Sequence, residues 1–179
     1  MLRFLCLAAC LLFASAAFAQ SQTCPGASRL IGDMNNDCKL WIPCPQRDET
    51  MTWSGDCVGG LVDGRGVLQW FIGGKPDGRY EGTVDEGFWH GRGVYTVEDG
   101  TVYEGDFRFG HFHGRGTIRY PNGEWYKGEW RYGSPHGHGT AYSEGTAYTG
   151  TWDDGCLLNS DVAVSLGPTE DECRQRPSP

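Results

Sequence analysis

Long apolar runs are scarce in this 179-residue chain. One opens it, from Phe4 to Phe13, and no later run approaches the roughly 20 residues that a membrane-spanning helix needs. Basic charge is also in short supply: 15 Lys and Arg stand against 23 Asp and Glu, a formal net charge of −8. That balance disfavours non-specific attraction to nucleic acid or to anionic lipid. No two cysteines form a Cys-x-x-Cys pair, which argues against a zinc site. The signatures of catalysis are missing too, with no Gly-x-Ser-x-Gly, no phosphate-binding loop and no His-Glu-x-x-His. The expectation is a non-enzymatic protein without metal or cofactor and without a nucleic-acid partner.

The opening run belongs to a segment unlike the rest. Arg3 precedes it, and Ala17-Phe18-Ala19 supplies a small-x-small cleavage signature before Gln20. Residues 1–19 read as a secretory signal peptide, which places a soluble mature protein in the periplasm or outside the cell. Cys24, Cys38, Cys44, Cys57, Cys156 and Cys173 remain after its removal, an even set suited to disulfides in an oxidising compartment. Cys156 with Cys173 and Cys44 with Cys57 are the expected pairs, although other connectivities are formally open.

Glycine is the opposite case, with 28 residues arranged periodically. Starts at Trp53, Tyr80, Tyr103, Tyr126 and Tyr148 are followed by glycine at recurring offsets, as in Gly82, Gly87, Gly91 and Gly93 or Gly105, Gly110, Gly114 and Gly116. A fixed period of this length marks a repeat architecture in which each unit buries its apolar face only against its neighbours. The phrases Tyr80-Glu81-Gly82, Tyr103-Glu104-Gly105-Asp106-Phe107 and Tyr126-Lys127-Gly128-Glu129-Trp130, each with a following His-Gly segment, resemble the MORN (membrane occupation and recognition nexus) repeat. The resemblance implies β-hairpins stacked side by side and used for binding rather than chemistry.

Side-chain alternation gives each strand one aromatic and one charged face. Tyr80, Tyr103, Tyr126 and Tyr148 share a side with Phe107, Trp130 and Trp152, while Glu81, Glu104, Asp106, Lys127 and Glu129 face the other way. Glycines on the aromatic side leave floor space on which rings lie flat. The fold expected is all-β: an elongated single-layer antiparallel sheet of stacked hairpins, a β-solenoid-like rod with disulfide-stapled caps that shield its open edges. Residues 20–52 read as an irregular Cys-rich cap, 53–157 as the repeats, and 158–179 as a terminal strand over Asp161–Leu166 followed by a polar, disordered tail.

Three ladders carry candidate functions. His90, His113 and His136 recur at about 10 Å, too far apart to share a zinc, and read as structural. Arg65, Arg92 and Arg115 read either as an anion stripe or, more simply, as cross-strand partners of the acids beside them. The loop pairs Phe88-Trp89 and His111-Phe112 either form an exposed apolar rim or fold back over their own hairpins. The functional expectation is a scaffold that binds a protein, or a second copy of itself, through Phe88, Trp89 and Phe112 of the rim and Tyr80, Tyr103, Tyr126, Trp130, Tyr148 and Trp152 of the aromatic face. Binding of envelope phospholipid, glycan or peptidoglycan is the alternative.

Overall fold

The computed structural model describes residues 29–42, 48–158, 164–168 and 170–174. The signal segment, Cys24, Cys44, residues 161–163 of the expected terminal strand and residues 175–179 lie outside this set. The described chain forms one open, predominantly antiparallel sheet. Its N-terminal part holds β1 (Arg29–Gly32), β2 (Lys39–Ile42), β3 (Glu49–Trp53) and β4 (Asp56–Val58). The body runs through β5 (Leu61–Ile72), β6 (Lys75–Asp85), β7 (Phe88–Thr96), β8 (Val102–Arg108), β9 (His111–Arg119), β10 (Trp125–Arg131), β11 (Ser134–Ser143) and β12 (Thr146–Asp153). β13 (Cys156–Leu157) and the single turn α1 (Glu170–Arg174) close the chain. From β5 to β13 every strand pairs with its sequence neighbour, as short connections require.

Two kinds of connection set this meander. Within a unit, two-residue turns such as Phe109-Gly110 and Tyr132-Gly133 have positive φ at both residues, the geometry whose twist matches a hairpin. Between units, the Asp99-Gly100 and Asn122-Gly123 turns close as expected, with the side chains of Asp99 and Asn122 accepting the Thr101 and Glu124 amides. A register shift recurs in the hairpins, between Gly82 and Thr83 and again between Gly105 and Asp106. These bulges sharpen the bend of the strand that follows each turn.

The N-terminal segment is more regular than its lack of periodicity suggests. β1 and β2 form a four-residue ladder, and β3 pairs with the far half of β5. Asp33 organises the join: its buried carboxylate accepts the amides of Asn35 and Trp53 and the Asn36 side chain. The disulfide expected from Cys44 to Cys57 is replaced by Cys38–Cys57, which ties the β1–β2 hairpin to β4. Cys38 ends the Asp33–Cys38 loop, so it faces the sheet once that hairpin forms. At the other end Cys156–Cys173 is present as expected and fastens α1 to β13. Within the expected terminal strand, Ser165 makes only an isolated bridge to Cys156.

Candidate functional site

Each repeat unit is built around its first aromatic residue. Tyr103 on β8 lies over Gly105 of its own strand and Gly116 of β9, so closely that a Cβ on Gly105 would fall 2.6 Å from the phenol oxygen and one on Gly116 2.7 Å from Cε2. Its hydroxyl donates to the Asp106 carbonyl three residues on (2.9 Å). Tyr80 and Tyr126 repeat the arrangement, donating to Thr83 (2.8 Å) and Glu129 (3.0 Å). Trp53 achieves it with different chemistry: the indole covers Gly55 and Gly66, and Nε1 donates to the Asp56 carbonyl (2.8 Å). Tyr and Trp both serve because each joins a flat ring to a polar tip of the right reach.

The opposite ring face is closed by the second residue after the turn. Trp89 stacks on Tyr80 at 4.5 Å and Phe112 on Tyr103 at 3.7 Å. Phe107 and Trp130 meet Tyr103 edge-on, and Trp152 meets Tyr126 in the same way. Trp130 and Trp152 also donate through Nε1 to the Gly116 and Gly139 carbonyls of the preceding unit. Of the two readings of the rim, folding back is therefore the one realised for Trp89 and Phe112. Tyr80, Tyr103, Tyr126, Trp130 and Trp152 are buried as well, and their rings are unavailable to a partner. Burial raises the phenol pKa of Tyr80, Tyr103 and Tyr126 above the ordinary value.

The charged face is quieter than its ladders suggest. Arg92 approaches Asp106 at 3.9 Å across the strands, whereas Glu81 pairs with Arg79. Asp106 and Glu129 have a second task that the sequence reading missed. Their carboxylates accept the amides of Arg115 (3.0 Å) and His138 (3.2 Å) beside Gly114 and Gly137, holding the bulges in shape. Among the described residues, no three His, Cys, Asp or Glu side chains converge as metal ligands do. His136 lies 3.2 Å from Asp153.

What remains open is a cleft of about 330 Å³ on the aromatic side, where β2 folds across the hairpin turns. Trp41 and Phe88, stacked at 6.3 Å, form one wall, with Trp70, Trp89, Tyr95 and Phe112 behind them. Glu49 and Asp77 also line it. Burial first, then the carboxylates of Asp77, Glu49 and Asp99, push the Tyr95 phenol up to about 12, so the far wall is acidic as well as aromatic. Phe88, Trp89 and Tyr95 are half-buried, and Trp41 is 38% exposed. Past the turns, Phe109 (56% exposed) and Tyr132 (62%) stand outward from left-handed backbone. Of the expected rim, Phe88 and Trp89 are half-buried in this lining and Phe112 is buried, and Phe88 stacks on Trp41 rather than on the first tyrosine of its unit. Tyr148, on the last unit, is half-buried away from the cleft.

No curated protein matches the chain. Residues 80–102, 103–125 and 126–146 each match the family described as MORN repeat. The matched segments are the units whose tyrosines lie on paired glycines, and Trp53 shows the same geometry just before them. The chain thus carries a tandem run of MORN repeats over residues 80–146.

Proposed function

We propose that this protein is an exported, non-catalytic scaffold that receives a protein partner in the cleft bounded by β2, β5, β7 and β9. The observation that carries this reading is the cleft itself: aromatic walls left half-exposed beside a row of ring stacks whose central tyrosines, Tyr80, Tyr103 and Tyr126, are buried. Concave, mostly apolar sites with a few polar groups are where binding concentrates, and partly exposed Trp and Tyr are the residues that anchor protein partners. Cystine caps at both ends of the sheet agree with an oxidising compartment. The two carboxylates in the cleft favour a basic partner over an anionic lipid surface.

The test is photo-crosslinking in cells from a reactive residue placed at Phe88 or Tyr132, with Glu81 on the charged face as control, followed by mass spectrometry. Discrete protein adducts from the first two positions and none from the control are expected. Adducts to glycan or phospholipid alone would overturn the protein reading in favour of an envelope ligand.

A further inference from the structure

In every unit after the first, the turn that ends the first strand carries a glycine whose amide reaches back to the unit before. Gly87 donates to Val62, Gly110 to Trp89 and Gly133 to Phe112, all at 3.0 Å, and Gly155 donates to Pro135 at 2.9 Å. Identical stitches fix the turns at a constant pitch along one edge of the aromatic side. The carbonyls of these glycines, with that of Gly60 before them, form a row of acceptors.

The chain itself uses the two ends of this row. Lys39 and Trp41, alternate residues of β2, donate to Gly60 (3.1 Å) and Gly87 (3.3 Å), and Leu166 donates to Gly155 (2.7 Å). Gly87 and Gly155 are buried beneath these segments. At Gly60 and Gly87 the row is thus read by alternate amides of one extended strand. Gly110 and Gly133, in the middle, accept no backbone hydrogen bond from any described residue, are exposed, and line the cleft. In the register of β2 the next two donors would be residues 43 and 45, and both are proline, which has no N–H to give.

We infer that Gly110 and Gly133 form a main-chain docking site for an extended, basic and apolar peptide segment of a partner protein, which adds to the turn row in the register set by β2. This rests on the protein-scaffold reading and names the partner's chemistry. Two alternate amides of the segment donate to the Gly110 and Gly133 carbonyls. Its apolar side chain enters the cleft between Phe88 and Phe112, and its basic side chains face Glu49 and Asp77. Main-chain bonds supply affinity and the cleft supplies selectivity, as in other strand-addition sites. The geometry continues an interface that the protein already makes with itself, and the charge of the cleft is complementary to the occupant.

The test uses the full mature chain with carbonyl-¹³C glycine and the synthetic peptide acetyl-Lys-Thr-Trp-Thr-Leu-Lys-amide as probe. On saturation the carbonyl resonances of Gly110 and Gly133 are expected to move while those of Gly60, Gly87 and Gly155 stay in place. N-methylation of one alternate set of peptide amides should weaken binding about ten-fold or more, and methylation of the other set should leave it within about two-fold. Binding with unmoved Gly110 and Gly133 carbonyls, or equal sensitivity to both methylated sets, overturns the inference and leaves a side-chain-only scaffold standing. Absence of peptide binding alongside protein adducts in the crosslinking test overturns the inference alone. Absence of both overturns the scaffold reading with it.

Discussion

The unit that begins at Tyr103 and the one that begins at Tyr148 open on the same pattern, Tyr-Glu-Gly-Asp-Phe against Tyr-Thr-Gly-Thr-Trp, yet they are not equally built. Tyr103 is buried between a glycine floor and Phe112. Tyr148 is half-buried, and the floor at Gly150 is taken by the Leu157 side chain. The difference lies in the following strand. β9 supplies Gly116 and Phe112 to the Tyr103 unit, whereas β13 is two residues long and supplies neither. A ring in this architecture is thus held by two strands, and the last unit has only one. At this end the sheet is finished by β13 and the Cys156–Cys173 cystine, which fastens α1 to it.

Four measurements would break or sharpen that contrast. The largest effect is expected from truncating the ring: Tyr103→Ala should cost about 4 kcal/mol in urea unfolding, and Tyr148→Ala less than about 2 kcal/mol. Equal losses would mean that the floor and lid contribute nothing. Replacing the cap cystine by Cys156→Ser with Cys173→Ser releases a loop with a sequence separation of 17 and should cost about 3 kcal/mol. Hydrogen exchange should then rise in β12 and stay unchanged in β8, and a uniform rise would show the sheet to be one cooperative block.

Smaller effects follow from the floor. Gly116→Ala places a Cβ against the Tyr103 ring, which Phe112 holds from above, and should cost about 2 kcal/mol. Gly150→Ala meets only the tip of Leu157, 2.8 Å from the new atom and free to rotate, and should stay within about 0.5 kcal/mol. The smallest effect at neutral pH is ionisation. Tyr95 and Tyr120 titrate near 12 in the folded protein, against an unfolded value of about 10, burial being the main cause for both. The unfolded chain loses these protons first, so their contribution is complete below about pH 10 and is lost as pH rises from 10 through 12. A phenolate absorbance titration should show these rings ionising late, together with unfolding. Early, reversible ionisation would contradict their burial.

Much of this was legible from spacing. Tyr80, Gly82 and Val84 keep to one face because strand alternation has period two, and glycine opposite glycine announces a ring between them. The inward position of Trp89 and Phe112 was not settled by spacing alone, because it depends on how many residues the bulge adds. They share parity with Gly93 and Gly116, and the bulge adds two residues, which preserves it. Other features leave no periodic trace. The hold of Asp106 on the Arg115 amide is a side-chain bond to an irregular backbone, and acids on a strand face look alike whether solvated or so engaged. The Cys38–Cys57 bond depends on the Asp33-centred loop, and cysteine spacing alone does not encode which pairing that loop allows. The cleft depends on β2 crossing the turns, a long-range contact made by one segment only once.

Phe109 and Tyr132 occupy their exposed turn tips with φ near 49° and 48°, a backbone region that side chains of their bulk seldom enter. Asparagine, whose short amide tolerates that region, would relieve about 1 kcal/mol of backbone strain at each site, against the loss of the edge contacts of Phe109 with Phe88 and His90 and of Tyr132 with His111 and His113. For anyone engineering a tougher version of this sheet, those two tips are where relief of strain has to be weighed against ring contact.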